Sequence, residues 1–251
     1  VTGKTVKTNK EDKEAINQFV EYCNKKEIEK AYNMLTQDCK KLMYQNIDKF
    51  REEYVNKIFY INRMYTLENW YGTNEYSTYY IKYIEDILAT GNVNSKDNIG
   101  DYITTTTIEN KTYLNISSFI GSKNINKQEK KENITIDIGK MYMYMYYTIL
   151  DIKVKNNTNR IISIDTKENV DTMYLYDENK VKYIALLNEN SKEELEIRKG
   201  MEKNIKIKFN KMYNPEGREL RGIILEDIVT NYENYTQAVE NKNTITVNVK
   251  I

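Results

Sequence analysis

The hydrophobic period of this chain changes near residue 59, and that change limits the folds open to it. Before it, Ile16, Phe19, Val20 and Cys23 recur at the spacing of one helix face. Ile28, Ala31, Tyr32 and Leu35 repeat the pattern. Thr8 followed by Glu11 has the capping-box spacing that opens a first helix. A third helical piece covers 37–44, and a fourth follows Asn46 with Ile47, Phe50 and Tyr54 on one side. After residue 59 the signal is that of strands. Segments 59–71 and 76–88 are rich in Tyr, Ile and Thr and end at Gly72 and Gly91. Segments 99–108 and 111–120 read as a hairpin with Glu109-Asn110 at its turn. Helices on one face of a curved antiparallel sheet predict a cone-shaped α+β domain.

The polar stretch 124–133 reads as a linker. Beyond it only strand signal remains. Ile134-Thr-Ile-Asp-Ile138 alternates strictly, 141–155 reads as one long strand, and short strands follow to the end of the chain. Many short strands at near-regular spacing predict an all-β sandwich. The expected architecture is therefore α+β in two domains, a helix-first cone over 1–125 and a sandwich over 126–251, as the 251-residue length also suggests.

Composition excludes several chemistries. The chain has no histidine, which removes the commonest general base, metal ligand and pH switch together. Two cysteines cannot build a four-cysteine zinc site. Gly-rich phosphate loops and a Gly-x-Ser-x-Gly elbow are missing. A net charge of +1, from 38 basic and 37 acidic residues, argues against nucleic acid as a partner. No apolar run reaches the roughly 20 residues of a membrane span. The first residue is Val1 rather than Met, which fits a mature form whose signal or membrane anchor has been removed. The expectation is a protein without catalytic, cofactor or metal site.

A few residues still invite a functional reading. Cys23 and Cys39 lie near the ends of adjacent predicted helices, so a disulfide and a pair of buried thiols are both open. Phe19, Tyr32, Leu35, Tyr54, Trp70, Tyr80 and Ile116 are candidates to line a pocket in the cone, or to be its core. Asp38, Asp48, Asp86 and Asp101 could supply a base there, but read as solvated surface carboxylates. Asp177-Glu-Asn179 opens like a calcium loop. Lys182 and Asn188 stand where such a loop needs Gly and Glu, so a turn is the better reading. In 141–147, alternation would send Met to one face and Tyr142, Tyr144 and Tyr146 to the other, as an interface or as a second buried face. The sequons at Asn115 and Asn156 are expected by chance in so Asn-rich a chain.

Residues 13–59 resemble the start of nuclear-transport-factor-two-like cones in envelope proteins of low-GC Gram-positive bacteria. The resemblance rests on Ala15-Ile-Asn-Gln-Phe-Val-Glu-Tyr-Cys23, on Ile28-Glu-Lys-Ala-Tyr-Asn-Met-Leu-Thr36, and on Asp38, Cys39 and Phe50. The second half is similar to the Ig-like domain of bacterial surface lipoproteins. Asp151-Ile-Lys-Val-Lys-Asn-Asn-Thr158, Leu175-Tyr-Asp-Glu-Asn-Lys-Val-Lys-Tyr183 and Ile197-Arg-Lys-Gly200 carry that similarity. It implies an extracytoplasmic protein, tethered through an N-terminal anchor and joined to envelope protein partners. Related cones serve assembly in conjugation machinery. The cone superfamily also contains enzymes, so a small-ligand binder or enzyme using the cone pocket is the alternative.

Overall fold

Asn9 opens the first helix by accepting the Glu11 amide on its side-chain oxygen at 3.2 Å. Thr8 lies outside the residues that this computed structural model describes, which are 9–73, 75–85, 99–168, 171–214, 219–232 and 244–251. The chain divides into two units, Val1–Gly121 and Ser122–Ile251. Helices and antiparallel sheets together make it α+β.

In the first unit, α1 (Lys10–Asn24) buries Ile16, Phe19, Val20 and Cys23, the face its period predicts. Helix α2 (Ile28–Asn33) follows. Thr36 caps α3 (Gln37–Met43) by accepting the Cys39 amide at 3.1 Å. Asn46 caps α4 (Ile47–Phe50), which continues through a π turn (Arg51–Val55) into α5 (Asn56–Ile58). The wider turn brings adjacent Tyr54 and Val55 both into the core. Strands β1 (Arg63–Gly72), β2 (Ser77–Glu85), β3 (Ile99–Ile108) and β4 (Lys111–Asn115) form one antiparallel sheet in that order. Glu109 and Asn110, at φ 50° and 61°, make the predicted β3–β4 turn in its left-handed form. Strand β1 begins later than expected because Phe59 still donates to Val55 O in helical fashion. Asn115 is buried, accepting from the Thr36 hydroxyl at 2.5 Å and donating to Ile120 O at 2.8 Å.

The expected linker is not one. Strand β5 (Phe119–Lys131) covers most of it, and Glu132-Asn133, at φ 46° and 63°, turn the chain into β6 (Ile134–Tyr144). The division falls after Gly121 rather than after residue 125. Strand β5 is at the rim of its sheet, and its residues 127–131 are exposed and polar. Rim strands favour such residues, and in sequence they look like a linker. The long strand expected over 141–155 is also two, β6 and β7 (Thr148–Asn156), with Tyr144 N donating to Tyr147 O at their turn.

The second unit adds β8 (Ile162–Ser163), β9 (Met173–Asp177), β10 (Lys182–Ile184), α6 (Lys192–Leu195), β11 (Glu196–Ile197), β12 (Glu202–Phe209), β13 (Leu220–Val229) and β14 (Thr244–Lys250). One sheet has the order β12-β7-β6-β5. The other runs β10-β9-β13-β8-β11, with β14 also on β13. Ile136, Ile152 and Ile207 from the first sheet and Leu175, Ile223 and Val247 from the second belong to one buried apolar cluster. Asn156 sits fully buried at the end of β7. It donates to Arg160 O and Ile197 O and accepts from the amide and hydroxyl of Thr158, all within 3.0 Å. Asp177 takes the Asn179 and Val181 amides on one carboxylate oxygen and the Tyr183 hydroxyl on the other, so 177–179 is a turn.

Candidate functional site

The interior of the first unit is where the sequence points to a pocket, and the described residues fill it with rings. Phe50 stands 5.4–6.3 Å from the rings of Phe19, Tyr32, Tyr44 and Tyr54. Tyr54 continues to Phe59, and Phe59 to Tyr83. Phe19, Leu35, Tyr54 and Ile116 are buried and Tyr32 is half-buried, as core residues. Buried hydroxyls need partners, and here they have them. Tyr54 and Tyr83 share a hydrogen bond at 2.8 Å, Tyr44 pairs with Ser117 at 2.5 Å, Tyr32 donates to Tyr44 O, and Tyr79 donates to Asp12. Burial pushes the Tyr54, Tyr83 and Tyr44 hydroxyls above the ordinary phenol range.

Asp101 differs from its expected place at the surface. It pairs with Ile81 across β2 and β3 and so shares the helix-covered face with Ile103. Its carboxylate accepts the Tyr102 amide at 2.7 Å, the Ser117 amide at 2.8 Å and the Ser118 hydroxyl at 3.0 Å. These bonds hold Ser117 and Ser118 in a left-handed turn at φ 57° and 60°. Desolvation outweighs them and raises the carboxyl above its ordinary value. Of the other candidate bases, Asp48 pairs with Arg51 at 2.6 Å on the surface, Asp38 is half-buried in α3, and Asp86 lies outside the described residues.

A raised carboxyl has a defined effect on stability. Above the unfolded value near 3.8, the folded state keeps the proton longer than the unfolded state does. Asp101 therefore favours folding most at low pH and loses that contribution as pH rises through its folded pKa. In urea denaturation from pH 3 upward, the wild type should lose stability relative to Asp101→Asn as pH rises. A difference that is flat or grows the other way would contradict this.

Trp70 and Tyr80 are not in the interior. Strand alternation places Tyr79, Ile81 and Tyr83 inward and Tyr80 outward, beside Tyr102 at 5.3 Å. Trp70 is the unpaired residue of a bulge between Asn69 and Tyr71, 51% exposed, and meets the Tyr102 ring edge-on at 5.3 Å. The proposed pocket lining is thus two groups on opposite faces of one sheet.

The second unit gives a similar correction. Tyr142 and Tyr144 are buried and only Tyr146 is exposed. A bulge at Gly139-Lys140 shifts the alternation. Tyr142 donates to Asp151 at 2.8 Å under the Lys206 ammonium, and Tyr144 stacks on Tyr147 at 4.4 Å. Met141 and Met145 are buried as well. Both faces of the strand are covered, so no tyrosine row faces solvent. The cysteines do not form a disulfide. Cys23 on α1 and Cys39 on α3 are free, buried thiols, and Cys39 bonds toward the Ile116 backbone. Burial pushes the Cys39 thiol up to about 12 and raises Cys23 too, which leaves both unreactive.

Two surface clefts lie among the described residues. One of about 470 Å³ lies between β12 and the segment around α6, beside Lys203, Lys206, Glu189 and Asn190. Another of about 490 Å³ lies between α1 and β1. No three His, Cys, Asp or Glu side chains converge on a metal position among the described residues. No described helix is long and apolar enough to cross a membrane. No protein family, curated protein or solved structure matches the chain.

Proposed function

We propose that this chain is a non-enzymatic, extracytoplasmic, envelope-tethered assembly or binding module. In this reading the first unit is a cone of the nuclear-transport-factor-two-like kind and the second an Ig-like sandwich. The chain then works within a conjugation or secretion apparatus. One observation carries the binding role: exposed Trp70 is supported by Tyr102, next to Tyr80, on the sheet face away from the helices. Large aromatics held rigidly at a surface lose little entropy on docking and are enriched at protein interfaces. The aromatic packing beneath the helices agrees with this, because it occupies the space that a substrate would need. The second reading, a small-ligand binder or enzyme using that interior, has the raised Asp101 carboxyl on its side. Yet Asp101 already accepts three hydrogen bonds that fix a turn.

The test places a photoreactive phenylalanine analogue at position 70 in the producing cell, with position 130 as control. The expected result is a cross-link from position 70 to an envelope protein, lost with Tyr102→Ala, which removes the ring supporting that position, against unchanged thermal stability. Equal labelling from both positions, or recovery of the chain in the cytoplasmic fraction, would overturn the proposal.

A further inference from the structure

The two rims of the first unit's sheet are finished differently. Strand β4 is closed by main chain, with Thr36 N donating to Leu114 O at 3.0 Å and Leu114 N to Met34 O at 2.9 Å. Strand β1 is closed at Arg63 by a side chain. Arg63 N donates to Asn24 Oδ1 and Asn24 Nδ2 donates to Arg63 O, both at 2.8 Å. The carboxamide supplies the acceptor and donor that a neighbouring strand would supply.

That contact fixes the direction of the remaining groups. Arg63 turns its N–H and C=O away from β2, so alternation turns those of Tyr65 and Leu67 the same way. Among the described residues, no hydrogen bond reaches the outward groups of either. They form two donor–acceptor pairs about 7 Å apart, the repeat of an extended chain. Helix α1 runs beside them. Asn17, Val20 and Glu21 from the helix and Met64 and Tyr65 from the strand line the 490 Å³ cleft.

We infer that this rim accepts an extended polypeptide segment of a partner protein as a fifth strand, laid on β1 from Tyr65 onward. A strand rim beside a helix offers main-chain pairing for affinity and a groove for alternate side chains. The observed geometry matches a strand rather than a compact ligand, because its open groups repeat at the strand period. Charge narrows the segment further. Of the charged side chains that line the groove, Glu21 and Lys25 are already joined at 2.5 Å and Arg63 is buried with its Nε donating to Ile58 O, while Asn17, Asn24 and Asn62 are neutral. The fitting segment is uncharged where it faces α1 and carries an apolar side chain against Val20. The inference goes beyond the Trp70 surface and stands independently of it.

The test uses the intact chain and a synthetic peptide of the β2 sequence, Ser77–Glu85, which already pairs with β1 on its other side. Hydrogen exchange is followed residue by residue. At saturating peptide, exchange of the Tyr65 and Leu67 amides should slow at least tenfold. The same peptide N-methylated at alternate residues should give no slowing. Leu67→Pro removes an outward donor without touching the β1–β2 ladder, a position where proline is tolerated. It should weaken binding at least tenfold, and the N-methylated peptide gives an independent answer if that variant folds poorly. No slowing at these two amides, equal slowing by the N-methylated peptide, or concentration-dependent protection without peptide would each overturn the inference. The last would mean that β1 pairs with a second copy. Trp70→Ala should leave the peptide effect intact, which separates failure here from failure of the cross-linking test.

Discussion

Phe50→Ala should destabilise the first unit by about 3–5 kcal/mol, the range for emptying a buried aromatic position. Phe50 is fully buried, and its ring touches four others, contributed by α1, α2, the segment after α3 and the π turn. Those rings are held by hydroxyl bonds at Tyr32, Tyr44 and Tyr54, so they are poorly free to close the void. Urea denaturation followed by the fluorescence of Trp70, the only tryptophan, reports on this unit. Phe50→Leu should recover more than half of the loss. A loss below about 1 kcal/mol for Phe50→Ala would show that the site collapses, and that the cluster is looser than its geometry.

Asn156→Ala should cost the second unit about 3 kcal/mol without removing any apolar contact. Its side chain serves two carbonyls and two groups of Thr158, and it has no exposure to solvent. Removing it deprives the buried Ile197 carbonyl and the Thr158 amide of a partner, at roughly 1–3 kcal/mol each, whereas Arg160 O keeps the Thr158 hydroxyl as donor. Asn156→Asp separates geometry from charge. It keeps the acceptor for Thr158 but faces Arg160 O and Ile197 O with another acceptor, so it should recover little. Circular dichroism melts of the three proteins would decide, and near-identical melts for Asn156→Ala would remove Asn156 as the clasp of that β7 end.

The helices were legible because a helix face repeats over many residues, and α1 carries four apolar positions in register. The Glu109-Asn110 turn was legible from its residue types. Aromatic character alone points Trp70 and Tyr80 to the interior. Parity along β2, where Tyr79 and Ile81 are inward, already sends Tyr80 outward. The same reasoning finds Asp101, since Ile99, Asp101 and Ile103 share one parity and an aspartate between two isoleucines on a buried face is not solvated. Bulges were not legible. At Gly139-Lys140 and at Trp70 the register slips, and residues beyond the slip change face. The β5 rim strand failed for a different reason, because its polar residues satisfy both a linker and a sheet edge.

The burial of Asn115 and Asn156 bears on the chemical history of the polypeptide. Both begin an Asn-x-Ser/Thr triplet, and a glycan-transferring enzyme must reach the side-chain amide to use one. In the folded chain each amide nitrogen already donates to backbone carbonyls and neither residue meets solvent appreciably. A sugar could enter only on a nascent, unfolded chain, and it would then block the turn that each amide closes. At these two sites, modification and folding are mutually exclusive outcomes, with the choice made during synthesis.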